Sequence, residues 1–449
     1  MGQTLGSKKP SSQARLDGTV VDAWYGLRFA AADTRFSAPR AATGRLSVSQ
    51  LGEVPIFPQL PSKLASAMGH GRANPQSEDA FFLNVWAPAN AQGLPVVAFI
   101  HGGAWMTGGG SMAWYDGLRL AAQGVVVVNV SYRVGPLGHL GYPDAHELPI
   151  PAVDLLLALY WVTDHIRDYG GDPAKITLMG QSAGGWYAHL LSVLPQTRGL
   201  INRLALLSMG TRAPWSPTQQ VKVTERVQKS VNGALQTILT DILLKEGMAA
   251  LDREPALLGY APSAFLPVAS DGLPNRLLDP EWAAAACHAR AVYLRVTAHE
   301  SATFFFDSPL QRDASQDQVD EALCRWELAD LPASLQHAGT FNGASSGLSP
   351  YMQLVAASSW RQFQRFPTQY AETLREHQRD VRLVRFETES SLGGLLSGHC
   401  FDLPFQFGNL NDWADAPMLM GFDEDDFKAI SDALIADIAT FAREPSEKS

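Results

Sequence analysis

Short runs of apolar and β-branched residues recur along the chain and alternate with segments whose apolar positions have helical spacing. The stretch PAVDLLLALYWVTDHIRDY (151–169) shows that spacing, and GGDP ends the predicted helix. Strands that alternate with helices predict an α/β fold built on a doubly wound sheet. The runs that predict strands are residues 81–87, 95–103, 124–133, 175–179, 203–208, 289–297 and 381–388.

The segments between the later predicted strands are longer and differ in composition from the rest of the chain. Residues 215–280 and 308–378 are rich in helix formers broken by Pro and Gly, which predicts helical insertions after strands. We find no low-complexity linker and no repeat of solenoid period, so residues 1–449 are predicted to form a single domain. The polar ends, residues 1–18 and 443–449, are predicted to be disordered.

Composition and charge exclude several function classes. A hydrophobic fraction of 46% and a charged fraction of 18% are typical of a compact soluble protein. The net charge of −10 argues against a nucleic-acid partner, because no basic excess is present to neutralise phosphates. No apolar run is long enough for a membrane span, and the first residues carry no apolar secretory core. We therefore expect neither nucleic acid nor membrane as a partner.

Cysteine usage indicates the compartment. Cys287, Cys324 and Cys400 are widely spaced, and no C-x-x-C pair suggests a zinc site or a redox dithiol. Three sparse thiols fit a reducing environment, so we expect a cytoplasmic protein without bound metal.

Two stretches match the pattern G-x-S-x-G. In the first, KITLM leads into GQSAG at Ser182, and a helical pattern follows, which is the strand–turn–helix context of a nucleophile elbow. The second, GASSG at Ser345, has no strand before it, and Pro350 blocks a helix after it. The context selects Ser182 as the candidate nucleophile, although a glycine-rich turn without chemistry remains an alternative at this point.

A nucleophilic serine also needs hydrogen-bond donors for the oxyanion. The stretch FIHGGAWMTGGG follows a predicted strand and resembles the HGGG-type oxyanion turn. We expect Gly102 to shape this turn, and the N–H groups of Gly103, Ala104 and Ala183 to act as the donors.

Several ordered motifs resemble those of the type-B carboxylesterases, the α/β-hydrolase family that includes cholinesterases and bacterial p-nitrobenzyl esterases. YGGDPAKITLMGQSAGG (169–185) is similar to the family's FGGDPxxVTLFGESAGG, and SEDAFFLNVWAP (77–88) to its SEDCLYLNVW. IHGGAW, VSYRVGPLGHLG (130–141), FLPVASDGLP (265–274) and GHCFDLPFQFG (398–408) match further landmarks in the same order. The resemblance runs from about Gly26 to Gly408 and implies a mostly parallel central sheet flanked by helices.

The resemblance also implies the partners of the serine. Glu300, in TAHESATFF, occupies the position of the acid, with the neighbouring His299 a distractor and Asp307 the alternative acid. His399, in SGHCFDLPFQFG, occupies the position of the base. Both follow predicted strands, where parallel sheets build their sites. His101 is expected to be structural.

The chain departs from the family pattern at a few positions. Phe57 and Ala80 stand where relatives often have a disulfide, which suits a reducing compartment. Gln181 stands where relatives often carry Glu, and this weakens the case for a cationic, choline-like substrate. Cys400 replaces a glycine beside the base, where we interpret it as a packing residue.

We therefore predict a serine carboxylesterase, monomeric or homodimeric, that hydrolyses small to medium neutral esters through an acyl-enzyme without a cofactor. Its only predicted partner is a small-molecule ester. An amide, carbamate or lactone hydrolase with the same residues is an alternative, and a non-catalytic binding protein on the same fold is another. The aromatic residues considered for an apolar pocket are Trp105, Trp114, Trp186, Phe304 and Phe305.

Overall fold

The computed structural model describes residues 9–141, 147–252, 256–326 and 348–444. Ser345, the second candidate serine, lies outside these residues. The described chain contains one sheet of ten strands. The strands are β1 Ser12–Leu16, β2 Thr19–Ala31, β3 Arg40–Arg45, β4 Phe82–Pro88, β5 Leu94–Ile100, β6 Val126–Val130, β7 Gly171–Gln181, β8 Arg203–Leu207, β9 Ala291–Thr297 and β10 Asp380–Phe386.

The strands are ordered β1-β2-β4-β6-β5-β7-β8-β9-β10 across the sheet, and β3 pairs with β2 outside this path. Every pairing from β6 to β10 is parallel. The pairings among β1, β2, β3 and β4, and that of β4 with β6, are antiparallel. The predicted mostly parallel sheet is therefore confirmed, with an antiparallel extension at its N-terminal edge.

The prediction of a disordered leader over residues 1–18 is wrong for its second half. Residues Ser12–Leu16 pair with β2, where Ser12 faces Ala23 and Leu16 faces Thr19. The residues of β1 alternate between exposed and half-buried positions, so the strand carries little apolar signal in the sequence. Main-chain pairing along an edge, rather than burial of side chains, orders this segment.

Helices cover both faces of the sheet. They are α1 Ala65–Met68, α2 Leu118–Ala121, α3 Gly135–His139, α4 Ile150–His165, α5 Ala183–Val193, α6 Pro217–Ser230, α7 Thr240–Leu251, α8 Pro280–Ala286, α9 Ala302–Phe305, α10 Pro309–Arg312, α11 Gln316–Arg325, α12 Pro350–Ser359, α13 Arg365–Glu376, α14 Leu403–Phe407 and α15 Glu424–Arg443. A π-helical turn, Trp360–Gln364, joins α12 to α13. The last helix extends through Arg443, the first residue of the tail that was predicted to be disordered.

Two apolar cores lie on opposite faces of the sheet. Leu155 of α4 and Leu190 of α5 belong to one core, while Ile435 and Ile438 of α15 belong to the other. Strands β5 and β6 are buried on both faces, which explains why LPVVAFI and VVVNV are nearly continuous apolar runs. Burial of each such side chain contributes roughly 1.5–3 kcal/mol.

The helices after β8 and after β9 form two smaller packed layers of their own. Val227 of α6 and Leu243 of α7 meet Leu137 of α3 in one layer. Val319 of α11 and Leu354 of α12 pack together in the other. In the part of the chain that the structure describes, no helix combines the length and apolar character of a membrane span.

Candidate active site

Ser182 lies in a tight turn between the end of β7 and the start of α5. Its backbone has φ +54° and ψ −119°, a conformation that L-residues rarely adopt. The turn is held by main-chain bonds, because the Ser182 N–H donates to the Leu207 carbonyl at 2.9 Å and its carbonyl accepts from Gly210 at 3.3 Å. This strained turn directs the Ser182 hydroxyl away from the sheet, as the strand–turn–helix pattern predicts.

Close approach of two backbones explains the glycine at position 184. A Cβ atom at Gly184 would lie 2.2 Å from the Ile100 carbonyl oxygen and 2.4 Å from that of His101. No real Cβ atom tolerates such distances, so only glycine lets α5 begin directly against the end of β5. The loop that follows β5 is thereby brought beside Ser182.

His399 and Glu300 join Ser182 in one hydrogen-bonded chain. His399 Nε2 lies 2.8 Å from Ser182 Oγ, and His399 Nδ1 lies 2.5 Å from Glu300 Oε2. The second Glu300 oxygen accepts from the Thr297 N–H at 2.8 Å, so both carboxylate oxygens are occupied. Glu300 is 0% exposed and His399 is 1% exposed. The three predicted residues thus come together from three different loops of the sheet.

Two aromatic rings hold the His399 imidazole. The ring of Phe304 lies 5.3 Å from it and that of Phe363 lies 4.8 Å from it, centroid to centroid. The Thr303 hydroxyl donates to the His399 carbonyl at 2.8 Å. Burial lowers the pKa of this imidazole, but the contacts with Cys400 and Glu300 raise it by more, so the pKa lies well above its ordinary value.

The loop after β5 turns sharply beside the serine. Gly103 has φ +114°, and a Cβ atom there would lie 2.0 Å from the Thr107 carbonyl oxygen. A Cβ atom at Gly102 would lie 3.0 Å from the Ser182 Cβ, so the loop packs directly on the serine. Within the described residues, no protein acceptor takes the amide N–H of Gly103, Ala104 or Ala183.

The remaining titratable candidates lie apart from the base. His101 is buried and stacks on Tyr132 with ring centroids 4.4 Å apart, and burial lowers its pKa to about 4. Asp307, the alternative acid, is exposed and accepts from the Ser66 hydroxyl at 2.5 Å. His299 faces Glu389 at 3.9 Å. Neither Asp307 nor His299 contacts His399 in the described structure.

A cavity of about 330 Å³ opens over Ser182 and His399. Of the aromatic residues considered as its lining, Trp105, Trp114 and Phe304 contribute to the wall. Trp186 and Phe305 are instead fully buried in apolar cores. No group of three or more metal-ligating side chains occurs among the residues that the structure describes.

Sequence reasoning did not identify Phe363 or Arg212, both of which line the cavity. Phe363 belongs to the π-helical turn Trp360–Gln364, within a segment that was predicted only to be helical. Arg212 lies in the loop that follows β8, where the rule that parallel sheets build sites at strand ends would have flagged it.

Two of the departures from the family pattern, Gln181 and Cys400, lie at this site. The Gln181 amide donates to Cys400 Sγ at 3.3 Å, and both side chains line the cavity. Cys400 is buried and unpaired, with φ +70°. Phe57 and Ala80, at the positions of the missing disulfide, are both buried in the same apolar core.

Comparison with known proteins places this chain in a family. The model of the carboxylesterase family matches residues 1–258, which include Ser182 and the loop at residues 102–104. A probable N-octanoylanthranilate hydrolase of Rhodococcus erythropolis is 29% identical over 438 residues, covering 93% of this chain and 88% of the relative. The para-nitrobenzyl esterase of Bacillus subtilis is 30% identical over 420 residues, covering 87% of this chain and 80% of the relative.

Solved structures agree with the sequence relatives. A structure of a PNB esterase superimposes with a TM-score of 0.77 at 27% identity, covering 97% of this chain and 90% of that one. The shared fold and the matches in sequence show that the chain belongs to the carboxylesterase family, α/β-hydrolases that act on carboxylic esters.

Proposed function

We propose that the protein hydrolyses carboxylic esters through a covalent acyl-enzyme formed on Ser182. The observation that carries the proposal is the continuous chain from Ser182 Oγ through both His399 nitrogens to the buried Glu300 carboxylate. His399 takes the hydroxyl proton as Ser182 Oγ attacks the ester carbonyl carbon. Glu300 holds the imidazole in the required tautomer and stabilises the imidazolium that forms.

The loop after β5 and the first residue of α5 together stabilise the tetrahedral intermediate. We assign the oxyanion to the N–H groups of Gly103, Ala104 and Ala183, which have no protein acceptor among the described residues. Gly102 shapes the turn that presents the N–H groups of Gly103 and Ala104, and the N–H group of Ala183 lies at the start of α5, directly after Ser182. Such donors stabilise charge that develops only during reaction, and removal of one typically costs about 10²–10³-fold in kcat.

Collapse of the intermediate completes each half-reaction. The imidazolium of His399 returns its proton to the departing alkoxide, and the alcohol leaves the Ser182 ester behind. A water molecule then enters, His399 takes its proton, and the resulting hydroxide attacks the acyl carbonyl. The carbon–Oγ bond breaks, Ser182 regains a proton from His399, and a carboxylic acid is released.

The cavity supports small to medium neutral esters as substrates. Its volume of about 330 Å³ suits compact acyl and alcohol groups, and Trp105, Trp114, Phe304 and Phe363 give it apolar walls. No aspartate or glutamate is among the described residues that line it, and Gln181 beside Ser182 is uncharged. Among the described residues, that wall therefore offers no carboxylate to pair with the cationic head of a choline ester.

Amide hydrolysis is a second candidate, favoured by one comparison. The Rhodococcus erythropolis relative is described as a hydrolase of an N-acylated anthranilate, in which the bond to the acyl group is an amide. The same three residues would serve, with His399 protonating an amine in place of an alkoxide.

We also propose a reducing, cytoplasmic location. Cys287, Cys324 and Cys400 are all unpaired. Fractionation of cells that express the chain with a C-terminal tag tests the location, and recovery outside the cytoplasm contradicts it.

Substitution of the serine tests the mechanism. Ser182→Ala is expected to lower kcat on 4-nitrophenyl butyrate by at least about a thousandfold. A fluorophosphonate probe is expected to label the wild type at Ser182 and to leave the variant unlabelled. Undiminished hydrolysis by the variant contradicts the proposal. A wild type that folds but neither hydrolyses esters nor takes the label is instead a binding protein on a hydrolase fold.

A further inference from the structure

The wall of the cavity has a charge opposite to that of the whole chain. The sequence contains 45 acidic and 35 Lys or Arg residues. Yet the described residues that line the cavity include Lys63, Arg72 and Arg212, and no aspartate or glutamate. A cationic wall in an acidic protein is a local feature of this cavity, because the composition of the chain alone would favour the opposite sign.

The three cations differ in how far they are neutralised. Lys63 Nζ lies 2.9 Å from Asp252 Oδ1, and Arg72 Nε lies 3.5 Å from Asp412 Oδ1. Arg212 forms no ion pair with any residue that the structure describes. Among the described residues, its guanidinium is therefore a charge of the wall that has no counter-ion.

Main-chain carbonyls hold the Arg212 side chain in place. Its Nη1 donates to the Pro262 carbonyl at 3.0 Å and its Nη2 donates to the Ala261 carbonyl at 3.1 Å. The guanidinium has five N–H donors, so these two bonds leave the others uncommitted. Burial lowers the pKa of Arg212, but an arginine retains its charge at any physiological pH.

The two residues that precede Arg212 are held by hydrogen bonds to the site. The Gly210 N–H donates to the Ser182 carbonyl at 3.3 Å. Both the N–H and the hydroxyl of Thr211 donate to the Gln362 carbonyl, at 3.2 Å and 2.6 Å. The guanidinium is therefore positioned before any ligand arrives, which reduces the entropy lost on binding.

We propose that Arg212 binds a carboxylate of the substrate, so that esters carrying a carboxylate are preferred over uncharged esters of the same shape. This inference rests on the proposed serine mechanism and refines its substrate class: uncharged esters are substrates, and esters that carry a carboxylate are hydrolysed with a higher kcat/KM. A planar guanidinium with free N–H groups matches a carboxylate in a two-bond geometry. In a half-buried cavity that pair is screened less than at the surface. The paired Lys63 and Arg72 add a weaker attraction at the same wall.

Matched substrates test the preference. For the acyl side, 4-nitrophenyl hydrogen glutarate is compared with its uncharged methyl diester, together with the succinate and adipate homologues. For the alcohol side, 4-nitrophenyl butyrate is compared with 3-carboxy-4-nitrophenyl butyrate, in which the carboxylate is on the phenol ring. The measured quantity is the ratio of kcat/KM for the charged member to that for the uncharged member. The wild type is expected to prefer the charged member on at least one side.

Substitution then assigns the preference to one residue. Arg212→Gln is expected to lower that ratio by roughly 10- to 100-fold, the effect typical of hydrogen bonds to charged groups. Arg212→Lys is expected to restore part of it, since the charge returns without the planar fork. Arg72→Gln removes the same formal charge from a side chain that is 75% exposed, so it is expected to change the ratio less than about threefold.

The outcomes separate this inference from the proposed mechanism. A wild-type ratio near one overturns the role of Arg212 while ester hydrolysis stands. An equal fall in kcat/KM for the charged and the uncharged substrate in Arg212→Gln does the same. Absence of hydrolysis of every ester overturns the proposed mechanism. In that event, calorimetric titration of the folded protein with monomethyl glutarate still decides the role of Arg212. Binding that weakens in Arg212→Gln supports it, and equal or absent binding overturns it.

Discussion

Arg295 and Asp402 form an ion pair that solvent does not reach, directly behind the turn that carries His399. Arg295 Nη2 lies 2.8 Å from Asp402 Oδ2, and both side chains are 0% exposed. Arg295 Nη1 also donates to the Gln406 side chain at 2.7 Å. The pair ties the segment after His399 to β9, the strand that leads to Glu300. It therefore sets the relative position of two of the three proposed catalytic residues.

Removal of one partner of this pair is expected to be strongly destabilising. Asp402→Ala leaves the Arg295 charge buried without a counter-ion, which costs about 3–5 kcal/mol. Denaturant unfolding followed by fluorescence measures the change in the free energy of unfolding. Asp33→Ala, which breaks the exposed pair of Asp33 with Arg40, is the control and is expected to cost less than about 1 kcal/mol. Equal effects of the two substitutions would contradict the importance of burial.

The raised pKa of His399 predicts where kcat/KM falls on the acid side of its pH profile. The neutral imidazole is the form that accepts the Ser182 proton, so kcat/KM falls as the pH drops through this pKa. Because Cys400 and Glu300 outweigh burial and raise that pKa, half-maximal kcat/KM is expected above 6.5, the ordinary value for histidine. Glu300→Gln removes the carboxylate that stabilises the imidazolium and is expected to move this acid limb to lower pH.

The same substitution is expected to lower kcat by roughly a thousandfold or more, because a glutamine no longer holds the required tautomer. Steady-state kinetics across pH measure both effects. A limb that stays in place in Glu300→Gln would show that the carboxylate does not act on His399.

Gly184 is expected to tolerate no side chain. Gly184→Ala forces a methyl group against the Ile100 carbonyl, which either separates α5 from β5 or shifts the Ser182 turn. Loss of kcat together with a lower melting temperature is the expected result. Gly52→Ala is the matched control, because no heavy atom lies within 4 Å of the added Cβ. A fully active Gly184→Ala would show that the contact between α5 and β5 is looser than described.

Position 400 is expected to favour glycine on stability grounds. Cys400 has φ +70°, a left-handed conformation that costs an L-residue about 1–2 kcal/mol. Melting temperatures are therefore expected to fall in the order Cys400→Gly, Cys400→Ala, Cys400→Val, with the β-branched residue lowest. The comparison of Gly with Ala isolates the backbone effect, since both remove the thiol. The reverse order would place the strain elsewhere.

The parts of this molecule that sequence predicts well are those in which local pattern and chemistry coincide. The strand KITLM and the helix after GQSAG mark the turn at Ser182 without any tertiary information. Glu300 follows the buried strand β9, His399 follows the more exposed edge strand β10, and both were placed by resemblance of their motifs. The structure brings these three side chains within hydrogen-bond distance.

The parts that sequence misses depend on partners distant in the chain. Strand β1 has few apolar residues, because an edge strand is stabilised by pairing and its pattern resembles that of a polar leader. Phe363 reaches His399 only through the path that a long insertion takes over the site. Arg212 is visible as a charge in a loop, but whether a described carboxylate pairs with it depends on which side chains the fold places nearby.

The π-helical turn Trp360–Gln364 contacts two parts of the site that lie far apart in the sequence, the His399 ring and the loop that carries Arg212. Phe363 packs on the His399 ring, while the Gln362 carbonyl accepts both bonds from Thr211 beside Arg212. Deletion of one residue from this turn would rotate everything beyond it by about 100° relative to what precedes it. The length of this one turn thus sets the positions of both Phe363 and the Gln362 carbonyl, and through them both the rate of reaction at His399 and the selectivity at Arg212. A library of insertions and deletions in these five residues would therefore change rate and selectivity together. The number of residues in the turn matters more here than their identity.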